Sequence, residues 1–420
     1  MPSAPPADAG LKHVDALPAQ TQRYQEKREA ILDAAARLFN QKGVKGGTLS
    51  DVGRSVGLIT NSVTYYYRKK EDLAKACFLR AIEAMNGVIS QAMSASTPEL
   101  RVREFLSCYV SLLAAIVEGR HPDIVNFNDI RALTSPHLEV LFQAYTDMFR
   151  RVRGLLHSPE RAGERRQLNA QAHLLLSLTL WSRAWVREYE VEDYGRAAER
   201  AGDILLRGIA APRSDWTGAC LPDAAWSAPA GSAARMPEAF LRAATYLVNE
   251  QGYRGASVDK ISARLKVTKG SFYHHNDHKE DLIIECFERT FAVVRRIQTA
   301  AAGSAPDGWG RLCAALNTLV RHQLSEQGPL LRASAWSALP VDLRYDKLRS
   351  MNRLTARFAN FIVDGIEDGS IRPVDQTIAA HMVTGTINSA TELERWVPGV
   401  TRDSAAELYA RPLLTGLLAV

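Results

Sequence analysis

The sequence predicts an all-α chain made of two copies of one helical unit, and three observations carry that prediction. Residues 28–80 lie over 237–289 at a fixed offset of 209 with no gap, giving 17 identities in 53 positions, a register that chance would not hold. Apolar residues recur at helical 3–4 spacing in both copies, as Ile31, Ala34, Ala35, Leu38 and Phe39 and as Phe240, Ala243, Ala244, Leu247 and Val248. No run of alternating β-branched residues marks a strand.

Taken in order, residues 1–22 are expected to form a disordered arm and 23–70 a first small helical domain. Gly43 ends its opening helix, as Gly252 does in the second copy, each standing where a left-handed residue stops a helix. Thr48 with Asp51 forms a capping-box start for a short second helix, and Ser257 caps its counterpart. Residues 71–210 follow as long amphipathic helices over 70–94, 100–117, 136–156, 167–188 and 194–210. Residues 211–234, rich in Ala, Pro, Ser and Gly, are expected to be a flexible linker with a reach of roughly 27 Å. The second unit divides likewise into 235–279 and 280–420, with helices near 279–299, 308–326, 341–368, 375–395 and 402–419. His173 and Gly208 pair with His381 and Gly416 at an offset of 208, so the repeat extends through the tails.

Composition narrows the function. With 420 residues, 46% hydrophobic and 23% charged, the chain is ordinary globular protein of two to three domains. It has no apolar run of eighteen residues to cross a membrane and no readable secretory signal. Cys77, Cys108, Cys220, Cys286 and Cys313 are widely spaced, as expected of reduced thiols in the cytoplasm. There is no GxSxG elbow, P-loop, HExxH or dinucleotide fingerprint, so neither catalysis nor a cofactor is expected. His274 and His278 stand one helical turn apart, yet no Cys or carboxylate completes a tetrahedral set near them, so no metal is expected.

The chemistry sits in the helix pair that follows each opening helix. A short capped helix (Thr48–Val56, Ser257–Leu265) leads through a tight turn, Gly57–Leu58 or Lys266–Val267, into a polar and aromatic helix, TNSVTYYY at 60–67 and TKGSFYHH at 268–275. That pattern is a helix-turn-helix. Thr60, Asn61, Ser62 and Thr64 in one copy, and Lys269, Gly270, Ser271 and Tyr273 in the other, are candidates for base edges. Tyr65, Tyr66 and Lys70, with His274, His275 and Lys279, are candidates for phosphate, and Thr48, Ser50 and Ser257 are further candidates for DNA contact. Tyr67 is expected to face inward. Ile59 at the start of the recognition helix has no capping oxygen, so Thr60 or Asn61 is expected to cap instead, whereas Thr268 offers a hydroxyl at the equivalent position. Lys266 stands where the first copy has Gly57, and a positive φ there would cost about 1 kcal/mol.

GTLSDVGRSVGLITNSVTYYYRKKEDL and GASVDKISARLKVTKGSFYHHNDHKEDL both resemble the DNA-binding region of the TetR/AcrR repressor family, and the closing stretches of each half resemble its last two helices. The resemblance implies a double-stranded DNA operator, a small hydrophobic or acidic effector held among the C-terminal helices, and a four-helix dimer interface. Here that interface would form within one chain, burying Leu174, Leu178, Ile204, Leu205 and Ile209 near Val383, Leu413, Leu414 and Leu417. Two unlike recognition helices then imply an asymmetric operator. Residues 23–80 carry 12 Lys+Arg against 6 Asp+Glu, residues 232–289 carry 9 against 8, and the remainder 31 against 32. The basic excess thus belongs to the first head, the electrostatic footprint of DNA binding. A non-specific or architectural binder with only the first head active is the alternative, and the acting species is either a monomeric pseudo-dimer or a homodimer. Phe127, Arg131, Trp181, Trp185 and Trp336 are the candidate effector-pocket residues; for Arg131, holding an acidic ligand and pairing with Asp129 both stay open.

Overall fold

The computed structural model describes residues 19–161, 163–226, 237–268, 279–339 and 341–419. Among them there is no strand, and the one extended pairing is an antiparallel bridge between Ala210 and Ile371. The first half runs α1 (Ala19–Lys42), α2 (Leu49–Ser55), α3 (Thr60–Tyr66), α4 (Lys70–Ala92), α5 (Pro98–Val117), α6 (His137–Leu155), α7 (Arg165–Trp185) and α8 (Tyr194–Arg207). The second runs α9 (Glu238–Gly255), α10 (Val258–Leu265), α11 (Lys279–Ala302), α12 (Gly308–Gln323), α13 (Val341–Asp368), α14 (Gln376–Ser389) and α15 (Leu393–Trp396). It closes with α16 (Arg402–Ala405) and α17 (Arg411–Thr415), joined by the π turn Ala406–Ala410, so the single closing helix expected over 402–419 is interrupted. Of the arm expected over 1–22, residues 19–22 belong to α1, and residues 1–18 lie outside the described residues.

Each head is held by the stripe that the sequence carries. Ile31, Ala34, Ala35 and Phe39 of α1 are buried against α4, where the Cys77 thiol meets the Leu32 carbonyl at 3.7 Å. The second head repeats the contact between Cys286 and the Leu241 carbonyl at 3.6 Å. Burial pushes both thiols up to about 12, so they are packing groups and not nucleophiles.

The two halves pair through their closing helices. α7 lies against α14, and α8 against α14 and α17. Leu174, Leu178, Ile204, Leu205, Ile209, Val383, Leu413, Leu414 and Leu417 are all buried, as an intramolecular dimer interface requires. At its centre the backbones touch: the Ile209 amide donates to the Leu414 carbonyl at 2.8 Å and the Leu417 amide to the Leu205 carbonyl at 2.7 Å. Gly208 (φ 67°) and Gly416 (φ 115°) make this approach, since a Cβ on Gly208 would stand 2.3 Å from the Leu414 oxygen and one on Gly416 2.7 Å from the Leu206 oxygen. Equivalent glycines, each filled by the other half's chain, are what an isologous two-fold contact produces. His173 and His381 also occupy equivalent positions. The first lies 3.1 Å from the Ser389 carbonyl, and the second stacks on Trp185 at 5.9 Å.

The linker departs from expectation. Residues 211–226 do not fold alone, but they dock along the second half. The Leu221 amide donates to Thr318 Oγ1 (2.8 Å), Asn317 Nδ2 to the Ala219 carbonyl (3.0 Å) and Trp309 Nε1 to the Asp215 carbonyl (3.0 Å). Trp226 is buried against His322, and Arg402 pairs with Asp223. Composition registers how little the segment can bury by itself, not the groove that receives it. Residues 227–236 lie outside the described residues.

Candidate nucleic-acid interface and effector cavity

In the first head, the Asp51 amide donates to Thr48 Oγ1 at 3.1 Å while Asp51 Oδ2 accepts from the Thr48 amide at 3.2 Å, so α2 starts in a full capping box. α3 then packs by Val63, its one fully buried residue, with half-buried Tyr66 against the same core. Ile59, 71% exposed, sits at the N-cap, and neither Thr60 nor Asn61 caps the helix as expected. Both follow the cap in helical backbone, so their side chains project outward. Thr48, Ser50, Thr60 and Asn61 are exposed; Ser62, Thr64, Tyr66 and Lys70 are half-buried; Tyr65 is 75% exposed.

Tyr67 turns inward, with burial pushing its hydroxyl up to about 12. The exposed face is wider than the sequence motif. Tyr24 of α1 stacks within 4.8 Å of Tyr66 and 6.2 Å of Tyr65, and Lys27 joins Asn61, Ser62 and Tyr65 around a concavity of about 350 Å³. Only the basic run beginning at Arg23 could have pointed to α1. Lys70 Nζ also donates to the Lys45 carbonyl at 3.3 Å, and Lys279 stands over the Tyr253 ring at 4.2 Å, so each lysine ties its helix start back to the end of the head's opening helix.

The second head keeps its cap, with the Lys260 amide donating to Ser257 Oγ at 3.3 Å, and Thr268 is exposed. Lys266 (φ 57°, ψ 39°) is the one non-glycine residue with positive φ among the described residues. Ser262, where the first copy has Gly53, is buried with its hydroxyl unpaired. Lys269, Gly270, Ser271, Tyr273, His274 and His275 lie outside the described residues, as does His278. Among the described residues no three His, Cys, Asp or Glu gather as metal ligands do, and no helix is long and apolar enough to cross a membrane.

A cavity of about 800 Å³ lies where the halves meet. Phe127, Arg131 and Trp181 line it from the first half, and Arg332, Trp336, Glu392, Arg395 and Trp396 from the second. Trp185 does not. Four residues beyond Trp181 it points about 40° further round the helix, where it is buried under His381. Arg131 does not pair with Asp129 either, because Asp129 accepts from the Val44 amide at 2.9 Å. Arg131 reaches Glu250 at 3.2 Å and shares the Glu392 carboxylate with Arg332, which is 2.7 Å away. Burial alone would raise the Glu392 pKa, but Arg332, Arg131, His173 and Arg395 outweigh it and hold the group down to about 2. His173, buried beside it, is pushed down to about 4.

The loops that wall this cavity also hold the heads. Asn40 Nδ2 of α1 donates to the Ile124 carbonyl (2.9 Å) while its Oδ1 accepts from the Asn126 amide (2.8 Å). In the second half Asn249 Nδ2 donates to the Leu330 carbonyl (2.9 Å) and its Oδ1 accepts from the Arg332 amide (3.0 Å). Asn40 and Asn249 are equivalent in the repeat, so each head hangs from its own loop by the same pair of hydrogen bonds.

The family model described as bacterial regulatory proteins, tetR family, matches twice, over residues 31–77 and 240–286. The transposon Tn10 TetC protein of Escherichia coli is 31% identical over 150 residues, 35% of this chain and 74% of that protein. The HTH-type transcriptional repressor DhaR of Mycobacterium sp. (strain GP1) is 28% identical over 130 residues, 30% of this chain and 66% of that protein. The crystal structure of a TetR-family transcriptional regulator from Bordetella parapertussis 12822 aligns with TM-score 0.38 and 19% identity, covering 43% of this chain and 94% of that chain. The two model matches begin 209 residues apart, the offset of the internal repeat.

Proposed function

The chain belongs to the tetR family of bacterial regulatory proteins in both of its halves, and on that premise we propose that it is a ligand-responsive repressor gripping one asymmetric operator with two unlike recognition helices. The observation that carries this is the isologous contact at Gly208 and Gly416: it makes one chain a closed pair, so two heads are delivered to DNA together. The names of DhaR and of KstR2 from Mycolicibacterium smegmatis, both HTH-type transcriptional repressors, support repression as the sense of the regulation.

In this reading Thr60, Asn61, Ser62 and Thr64 meet base edges at one half-site and Lys269, Gly270, Ser271 and Tyr273 at the other, about 34–36 Å along the duplex. Thr48, Ser50, Tyr65, Tyr66 and Lys70, and on the other side Ser257, His274, His275 and Lys279, meet phosphate. Residues 23–70 and 235–279 are then the two DNA-binding domains, and 71–210 and 280–420 the effector and dimerisation domains. An effector acts by preferring the arrangement of heads that does not fit the operator, typically by about 1–3 kcal/mol.

The test is selection of genomic fragments by the full chain, followed by footprinting. Two unlike protected half-sites one turn apart are expected, and transplanting residues 60–66 over 269–275 should make the selected site more palindromic. Unchanged site symmetry after that exchange would contradict the proposal. The charge excess of the first head favours one rival, a binder working through that head alone, and a single protected half-site would establish it.

A further inference from the structure

Three features of the cavity between the halves point beyond a generic effector site. The first is its count. The loop amides Asn126 and Arg332 that hold the two head asparagines are 206 residues apart, so Ala333, Trp336 and Met351 stand in the second half where Phe127, Ile130 and Tyr145 line the cavity in the first, yet the space they enclose with Phe287, Phe291 and Phe358 is only about 70 Å³. Of these two repeat-related places, only the one lined by the first half's residues encloses a space of ligand size among the described residues, about 800 Å³, within the usual range for small-molecule sites. The small apolar space adjoins the large one, since Trp181 and Trp336 wall both.

The second feature is charge. Arg131, Arg183, Arg187, Arg332 and Arg395 line the cavity against Glu139, Glu250 and Glu392. Arg183 is taken by Asp123, and Arg131 and Arg332 share one carboxylate. Arg395 lies over the Phe142 ring at 5.1 Å and closes no ion pair among the described residues. One end of the cavity is thus cationic beyond its own carboxylates, while Phe142, Tyr145, Trp181 and Trp336 make the rest apolar.

The third is its reach. The loops that carry Asn126 and Arg332 hold Asn40 and Asn249, the tethers of both heads, and Arg131 also grips Glu250 on α9. A ligand group drawn to Arg131 or Arg332 competes directly with the contacts that fix the second head, and it presses on the wall that fixes the first.

We propose that this cavity is a single shared site for an organic carboxylate with an extended apolar body, one molecule per chain, whose head group sits among Arg131, Arg332 and Arg395 and whose binding repositions both heads. The regulatory half of this rests on the repressor reading above; the site itself does not. Isothermal titration of the full chain with dodecanoate, kept below its micelle concentration, and with dodecanol as the neutral partner of equal length, tests it. Dodecanoate should bind at one per chain and at least tenfold more tightly than dodecanol. Arg395→Gln should weaken dodecanoate about tenfold and leave dodecanol unchanged. Leu348→Trp, at a 40% exposed position on the rim, should block both while urea midpoints stay as in the unmodified chain. Two molecules per chain, no preference for the anion, or no binding at 1 mM would overturn the site. One-to-one binding that leaves the affinity for a selected fragment unchanged would overturn the control of the heads and keep the site. One-to-one binding by a chain that selects no fragment would overturn the repressor reading alone.

Discussion

Replacing Gly208 with alanine should break the contact on which the internal pair depends. Its backbone (φ 67°, ψ −165°) lies in a region that side chains essentially do not enter, a strain of about 1–3 kcal/mol. The new methyl group would also stand 2.3 Å from the Leu414 oxygen, 2.5 Å from the Thr415 carbonyl carbon and 2.7 Å from the Gly416 nitrogen. These are backbone atoms of the other half and cannot swing aside, so overpacking adds about 1–3 kcal/mol. The expected loss is about 2–6 kcal/mol, read from urea unfolding of the full chain. Gly399→Ala is the internal control: φ is 73° there, but the added methyl group meets nothing within 4 Å, so only the backbone strain should appear. Because Gly416 faces Gly208 across the same contact, the double alanine variant should lose less than the sum of the two single losses. Equal losses at Gly208 and Gly399, or full additivity of Gly208 with Gly416, would refute the close approach of the halves.

Other perturbations separate the stability of the second head, the DNA contacts of the first and the internal interface. Lys266→Gly should stabilise the second head by about 1 kcal/mol, because it removes a left-handed side-chain residue from an exposed turn, and thermal unfolding would register the gain. Tyr65→Ala and Asn61→Ala should change stability by less than about 0.5 kcal/mol yet lower affinity for a selected fragment by about 1–3 kcal/mol each, a separation that fluorescence anisotropy beside urea titration would expose. Acid should loosen the internal interface. Burial holds His173 and His381 down to about 4 against an ordinary 6.5, so across that window the unfolded chain takes up protons that the folded chain refuses. Stability is then full above 6.5 and falls as the pH drops toward 4, by on the order of a few kcal/mol, and a flat urea midpoint between pH 7 and 4.5 would contradict it.

What the sequence made legible was whatever depends on near neighbours and on register. The apolar stripes of α1 and α9, the Thr48 and Ser257 caps, the left-handed Lys266 and the inward Tyr67 all follow from a few consecutive residues. The duplication further marked Gly208 and Gly416 as equivalent. What it concealed depends on partners far along the chain. Arg131 finds Glu392 261 residues later, so neither a ligand role nor a pairing with Asp129 could be settled from the run NFNDIRAL. Asn40 and Asn249 are identities of the repeat, but their tethering role needs the loops at Ile124 and Leu330, which no spacing announces. Trp185 illustrates a smaller gap. One helical turn from Trp181 is close enough to share a face in projection, and far enough to turn the ring from the cavity to His381. The docked linker is invisible to composition because Trp226 buries itself, and Leu221 half-buries itself, on surfaces supplied by α11 and α12.

In the proposed function a single polypeptide supplies both heads of one DNA grip. The solution mass of the complex with one selected duplex, measured by light scattering, tests that most directly. One chain per duplex with protection on both half-sites is expected; two chains per duplex, or one chain protecting a single half-site, would contradict a grip made by one polypeptide.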